Sequence, residues 1–122
     1  MSRNVIAVVD DLFFASKIRG TAEQHGVNLR FAKTTDDVLR EANAETPALV
    51  IVDLHSQRCD PLELARRLKL EVALSAVPLL GFFSHVQTEL QRQAEGAGFD
   101  RVVPRSAFAK NLPEILLGKI TD

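Results

Sequence analysis

The stretch Ala48-Leu49-Val50-Ile51-Val52-Asp53-Leu54 constrains the fold more than any other. It is an apolar run, rich in β-branched residues, that closes on one carboxylate. Such a run reads as a strand buried on both faces, the kind found in parallel sheets covered by helices. Asp53 then stands at the carboxyl end of a central strand, where open α/β sheets gather their chemistry. Val5-Ile6-Ala7-Val8-Val9-Asp10-Asp11 has the same shape and also ends in acid. Two strands of this kind predict one shared acidic pocket.

The rest of the chain alternates helices with strands. The first strand is expected over residues 4–9. Phe14, Ala15, Ile18 and Ala22 recur at spacings of three and four, which predicts a helix over 12–25 that Gly26 stops. Gly20 inside it costs about 1 kcal/mol relative to Ala, and reads as a point of close packing. Residues 27–31 form a short second strand nearer the edge, because Asn28 and Arg30 alternate with apolar neighbours. Thr34 or Thr35 caps the second helix. Asp36 and Asp37 suit its first turn, and Val38, Leu39 and Ala42 point inward. Thr46-Pro47 ends it.

The polar loop 54–59 follows the third strand. Asp60 then caps a third helix that has Pro61 at its first position and Leu62, Ala65 and Leu68 as its inner stripe. Residues 77–83 read as strand four. A fourth helix spans 86–95, with Leu90 and Ala94 inward, and Gly96-Ala97-Gly98 closes it. Residues 101–103 form strand five. The last helix runs over 108–117 and buries Leu112, Ile115 and Leu116. Five strands alternating with five helices make a doubly wound (βα)5 fold of the α/β class, expected as a single domain over 1–122.

Composition narrows the function. The 122 residues are 46% hydrophobic, enough for a sizeable core. A net charge of −1 gives no bulk electrostatic grip on nucleic acid or on an anionic membrane. There is no Trp or Tyr, so stacking on bases would fall to seven Phe, most of them in apolar surroundings. The single cysteine, Cys59, has no internal disulfide partner, which points to a reducing compartment. No signal-peptide pattern opens the chain, and no stretch approaches the ~20 apolar residues of a membrane span. A cytoplasmic location is the expectation. The chain ends at Asp122, just after the expected last helix, so its output is expected to pass through a partner or through dimerisation.

If strands one and three are neighbours, Asp10, Asp11 and Asp53 crowd one site. Three close carboxylates repel, so either their pKa values rise or a cation joins them. An open cluster of carboxylates with a backbone carbonyl suits Mg²⁺. With that ion, Asp53 has the chemistry to attack a phosphoryl group. A flavin or nucleotide site would instead need a hydroxyl- or glycine-rich loop after strand one. Here that loop is Asp10-Asp11-Leu12-Phe13, which repels phosphate unless a metal is bound. A hydrolase of the haloacid dehalogenase type would want an acid two residues after Asp10, and Leu12 stands there.

Other side chains read more plainly. Cys59, His55 and His85 fall near the same sheet end, but their spacing matches no standard zinc motif. His25 reads as a solvated helix end. Phe13 and Phe14 read as core, with one of them as an alternative cover for the acidic pocket. Arg66, Arg67, Lys110 and Lys119 read as surface charges.

The sequence resembles the receiver domains of two-component response regulators, the chemotaxis-regulator fold, over essentially its whole length. The resemblance rests on Val8-Val9-Asp10-Asp11, on Val50-Ile51-Val52-Asp53-Leu54 and on Asp60-Pro61-Leu62-Glu63-Leu64. It rests also on Val77-Pro78-Leu79-Leu80 and Ala97-Gly98-Phe99-Asp100. It implies the strand order 2-1-3-4-5 of a flavodoxin-like sheet. It implies that Asp53 is the phosphoacceptor, that Asp10, Asp11 and Asp53 with the carbonyl of His55 hold Mg²⁺, and that catalysis is limited to self-catalysed phosphotransfer and dephosphorylation. The implied partners are a histidine kinase or phosphotransfer protein, and a downstream protein or second copy on the face of helix four, strand five and helix five. No direct nucleic-acid or membrane contact is implied.

Two positions depart from the family pattern. The hydroxyl that usually ends strand four falls at Phe83, with Ser84 next along as the possible substitute. The lysine that usually ends strand five falls at Arg105. Arg keeps the charge with a different geometry. Pro104 precedes it and Ser106 follows, so the usual Lys-Pro order is lost, and Val102 holds the place of the family's aromatic switch. These departures favour an alternative, a pseudo-receiver that acts as a phosphorylation-independent interaction module.

Overall fold

The computed structural model describes residues 3–84 and 87–119. The strands are β1 (Asn4–Val8), β2 (Asn28–Phe31), β3 (Leu49–Asp53), β4 (Leu79–Phe83) and β5 (Arg101–Pro104). Between and after them lie α1 (Leu12–Gln24), α2 (Thr35–Ala44), α3 (Pro61–Leu70), α4 (Thr88–Ala97), α5 (Arg105–Lys110) and α6 (Leu112–Leu116). All strand pairs are parallel, in the order 2-1-3-4-5. That is the order the resemblance to receiver domains implies.

Side chains alternate across each strand, so each face of the sheet meets its own layer of helices. Ile6, Val8, Val50 and Val52 pack against Val38, Leu39 and Ala42 of α2, Leu64, Ala65 and Leu68 of α3, and Ala94 of α4. Val5, Ala7, Leu49, Ile51, Leu80 and Phe82 pack against Phe14, Ile18 and Ala22 of α1, Phe108 of α5, and Leu112, Ile115 and Leu116 of α6. β1, β3 and β4 are buried along their whole length, whereas β2, at the edge, is half-buried or exposed. Among the described residues no helix is long and apolar enough to cross a membrane.

The caps follow the sequence closely. Asp60 accepts from the Glu63 N–H at the start of α3, with Pro61 in its first turn. Thr34, not Thr35, caps α2, accepting from the Asp37 N–H. Gly26 follows α1 with φ of 70°, a left-handed conformation that suits a residue without Cβ. α4 continues through Gly96 and ends at Gly98, whose φ is 126°. Its expected start at Val86 lies outside the described residues.

Three expectations are corrected. Gly20 is no close-packing point, because a Cβ there would meet nothing within 4 Å. The inner stripe of α3 is Leu64, Ala65 and Leu68, while Leu62 is only half-buried. The last helix begins three residues earlier than expected, at Arg105, and is broken into α5 and α6 at Asn111. Pro113 explains the break, since it lacks an N–H and its ring would press on the carbonyl of Ala109 in a continuous helix. In the first turn of α6 its missing N–H costs nothing. Asn111 closes α5 instead, donating from both its backbone N–H and its side-chain Nδ2 to the Ala107 carbonyl.

Candidate functional site

β1 and β3 are neighbours, with Val8 opposite Val52. The acids that follow them therefore meet at one rim of the sheet. Asp53 ends β3 and pairs in register with Phe82 of β4. Its residue exposure is only 9%. Its Oδ1 accepts from the His55 N–H at 2.9 Å. Burial pushes this carboxyl above the usual carboxylate range. The charge of Asp10 pushes the same way, and the His55 N–H and the more distant charge of Arg105 pull against it.

Asp10 organises the loop after β3. One of its oxygens accepts from the Ser56 hydroxyl at 3.0 Å and the other from the Gln57 N–H at 2.8 Å. Ser56 Oγ accepts in turn from the Cys59 N–H, 3.3 Å away. Ser56 and Gln57 do not stand out in the sequence. Short polar residues in a loop carry no periodic signal, and their partner lies 46 and 47 positions away.

Asp11 is placed differently. It is the N-cap of α1, accepting from the N–H groups of Phe13 at 2.9 Å and Phe14 at 3.2 Å. Its other oxygen accepts from Arg105 Nη2 at 3.0 Å. The Arg105 hydrogen bond, helped by those of the helix N–H groups, holds its carboxyl below the usual range. The guanidinium carbon of Arg105 also sits 4.0 Å from the centroid of the Phe14 ring. Phe14 is buried, edge-on to Phe82 with centroids 5.3 Å apart, and Phe82 stacks on Phe108 at 4.8 Å. Phe14 is thus core and also the platform of the site's cation. Phe13 is not core. It is 92% exposed, beside Leu12 at 79%.

At the end of β4 the departing residue, Phe83, points away from Asp53. Phe83 is buried in the layer of α2, α3 and α4, with Leu54 and Phe99. By alternation the ring on the Asp53 face is Phe82. Ser84 is exposed, just beyond the strand. Val102 packs toward the same layer as Phe83. All described peptide bonds are trans. Cys59 is buried in that layer too, with Thr35 Oγ1 3.5 Å from its sulfur, and burial raises its thiol pKa. His85 lies outside the described residues.

The donors at this rim are all oxygen, the chemistry of a hard divalent ion such as Mg²⁺, which keeps several waters and takes one or two carboxylates. Asp53 and the carbonyl of His55 offer oxygens of that kind, and so does Asp10, although both its oxygens already accept hydrogen bonds from Ser56 and Gln57. Asp11 does not in its present place, because Arg105 and two N–H groups occupy it. Among the described residues no three His, Cys, Asp or Glu side chains are arranged to hold one ion. A shallow cleft bordered by Arg3, Pro78, Asp100 and Gly118 lies at the other, amino end of the strands and takes no part in the site.

No protein-family model and no curated protein sequence matches the chain. Solved structures do. A response regulator from Hahella chejuensis superposes with a TM-score of 0.86 at 20% identity, covering 98% of this chain and 96% of that one. The chemotaxis response regulator CheY4 of Vibrio cholerae gives 0.84 at 15% identity, covering 98% and 100%. A phosphorylated cyanobacterial phytochrome response regulator gives 0.80 at 16% identity, covering 97% and 91%. The fold is therefore that of response regulator receivers.

Proposed function

We propose that the chain is a receiver module of two-component signalling that accepts a phosphoryl group on Asp53. The observation that carries this reading is the buried carboxyl of Asp53 at the carboxyl end of the middle strand, with Asp10 just past the end of the neighbouring strand and the charge of Arg105 within electrostatic reach. In the transfer a carboxylate oxygen of Asp53 attacks the phosphorus of a phosphohistidine. The phosphorus–nitrogen bond breaks, and its electron pair leaves with the imidazole of the donor. Asp10, Asp53 and the His55 carbonyl would hold Mg²⁺, which offsets the negative charge gathered there. Arg105 supplies a further positive charge, and Ser84, next along the chain, is the possible substitute for the hydroxyl that the family places at Phe83. The donor is a histidine kinase or phosphotransfer protein, and the signal leaves through the face of α4, β5 and α5 to a protein partner or a second copy. The reaction is self-catalysed, and the setting is the cytoplasm.

The experiment is NMR of the chain with Mg²⁺ and beryllium fluoride. Shifts around Asp53 that vanish in Asp53→Asn support the reading. No binding at millimolar ligand sinks it. One set of contacts favours the alternative of a pseudo-receiver that binds partners without phosphate. Asp11 is spent on Arg105, Asp10 on Ser56 and Gln57, and a phenyl ring stands at Phe83. In that case partner binding is unchanged in Asp53→Asn.

A further inference from the structure

The loop after β3 is fastened at Ser56. Its N–H donates to the Asp53 carbonyl at 3.0 Å, and its hydroxyl donates to Asp10 Oδ1, also at 3.0 Å. The same oxygen accepts from the Cys59 N–H at 3.3 Å. One hydroxyl can fill both roles, since it carries one proton and two lone pairs. Cys59 is 4% exposed, so this tie reaches into the core. The Gln57 N–H adds a second tie to Asp10, at 2.8 Å. Ser56 therefore joins the end of β1, the end of β3 and the approach to α3. His55 lies between Asp53 and Ser56, and its N–H donates to Asp53 Oδ1. Among the described residues no other N–H or O–H donates to the Asp53 carboxylate, so Oδ2 is the oxygen left without a hydrogen bond.

We propose that Ser56 is a positioning residue for phosphoryl transfer to Asp53. Its hydroxyl, held between Asp10 and the Cys59 N–H, keeps the His55 N–H on Oδ1 and so turns Oδ2 toward the incoming phosphorus. This role rests on the reading of Asp53 as phosphoacceptor. The last torsion of an aspartate side chain is broad, so the carboxylate does not choose its own orientation. A fixed donor must choose it, and the His55 N–H is the one present. That N–H is only as fixed as the backbone on either side of it. On one side is β3, buried along its whole length, and on the other is Ser56, half-buried in a loop. Transfer forms the bond from Oδ2 to phosphorus and breaks the phosphorus–nitrogen bond, whose electron pair leaves with the donor nitrogen. Misplacing reacting atoms by about 1 Å can cost about 100-fold in rate. The role belongs to the hydroxyl rather than to bulk, so Thr can take it and Ala cannot.

The test compares the full chain with two variants, Ser56→Ala and Ser56→Thr, by two measurements. One is hydrogen exchange at the His55 amide with no divalent ion added. The other is labelling of Asp53 by phosphoramidate, a small donor with a phosphorus–nitrogen bond, with Mg²⁺ in the buffer. Mass spectrometry follows the labelling over a range of donor concentrations. In Ser56→Ala, exchange at the His55 amide should rise about tenfold. The labelling rate at saturating donor should fall about tenfold, with the half-saturating concentration unchanged. Ser56→Thr should restore both, because it returns the hydroxyl. Circular dichroism checks that both variants fold. An unmoved His55 amide in Ser56→Ala overturns the role. So does labelling of Ser56→Ala as fast as the unaltered chain or faster, or a loss in Ser56→Thr as large as in Ser56→Ala. In each of those cases, labelling of the unaltered chain that disappears in Asp53→Asn leaves the phosphoacceptor reading standing. If no form of the chain is labelled, both fall.

Discussion

The Phe14 ring carries the guanidinium of Arg105, 4.0 Å from its centroid, and also meets the core rings of Phe82 and Phe108. One side chain thus joins the hydrophobic layer of α1 to the charge balance of the acidic rim. Damage to the ring stack should spread accordingly. Phe108→Ala removes a fully buried ring and should cost about 3–5 kcal/mol. Phe14→Leu keeps most of the buried volume and should cost about 1–2 kcal/mol. Urea unfolding of the two variants checks both values.

Asp53 and Asp11 should pull stability in opposite directions as pH changes. Burial raises the pKa of Asp53 in the folded chain. Its contribution is therefore full below the unfolded value of 3.8 and is lost as pH rises through the raised folded value. Asp53→Asn should stabilise the fold at neutral pH, by on the order of 1 kcal/mol, and the gain should vanish in acid. Asp11 has a lowered pKa, chiefly through Arg105. Its contribution is present above 3.8 and is lost as pH falls through the lowered value. Thermal melts of Asp53→Asn and Asp11→Asn between pH 2 and pH 8 should show the opposite slopes.

Two glycines should respond to alanine with opposite signs. Gly20 lies inside α1 with open space around it, so Gly20→Ala should add about 1 kcal/mol. At Gly81 a Cβ would come within 2.9 Å of Leu54 Cδ2 and 3.2 Å of Phe99 Cδ1, both buried. Gly81→Ala should cost about 1–3 kcal/mol. Because Leu54 directly follows Asp53, the same substitution should also shift the Asp53 and His55 amide resonances, whereas Gly20→Ala should leave them in place.

Removing the Asp10 carboxylate should loosen the loop it organises. The Gln57 N–H donates to Asp10 at 2.8 Å, and the Ser56 hydroxyl does so at 3.0 Å. Charge-assisted bonds of this kind contribute about 1.5–3 kcal/mol each. In Asp10→Ala, hydrogen exchange at the Gln57 amide should rise at least about tenfold. The amides of β3 should keep their protection.

Much of this geometry is legible in the sequence because it is local. A buried strand shows as an apolar run, so Val5–Val8 and Leu49–Val52 announce themselves, and the acids that follow mark the rim of the sheet. Caps are legible for the same reason, as at Asp60 with Pro61. The partners of the acids are not legible. Arg105 reaches Asp11 across 94 positions, and nothing in spacing says whether it faces Asp11 or Asp53. The grip of Ser56 and Gln57 on Asp10 depends on the path of a loop without period. The exposure of Phe13 beside the burial of Phe14 follows the helical repeat, since Phe14 lies on the stripe of Ala15, Ile18 and Ala22 while Phe13 shares a face with Lys17 and Gln24. Pro113 was a local signal for the break before α6, and the apolar spacing of Leu112, Ile115 and Leu116 concealed it.

The sheet ends at β5, and the last residue of that strand is Pro104, paired in register with Phe83. A proline has no N–H to offer a newcomer, so this rim is poorly suited to recruiting a strand from another molecule. At the opposite rim the guanidinium of Arg30 in β2 is tied to Glu41 and to the Glu45 carbonyl of α2. Each edge strand thus carries one feature that disfavours pairing with a second sheet. A partner that docks on the face of α4, β5 and α5 is then recognised chiefly through side chains.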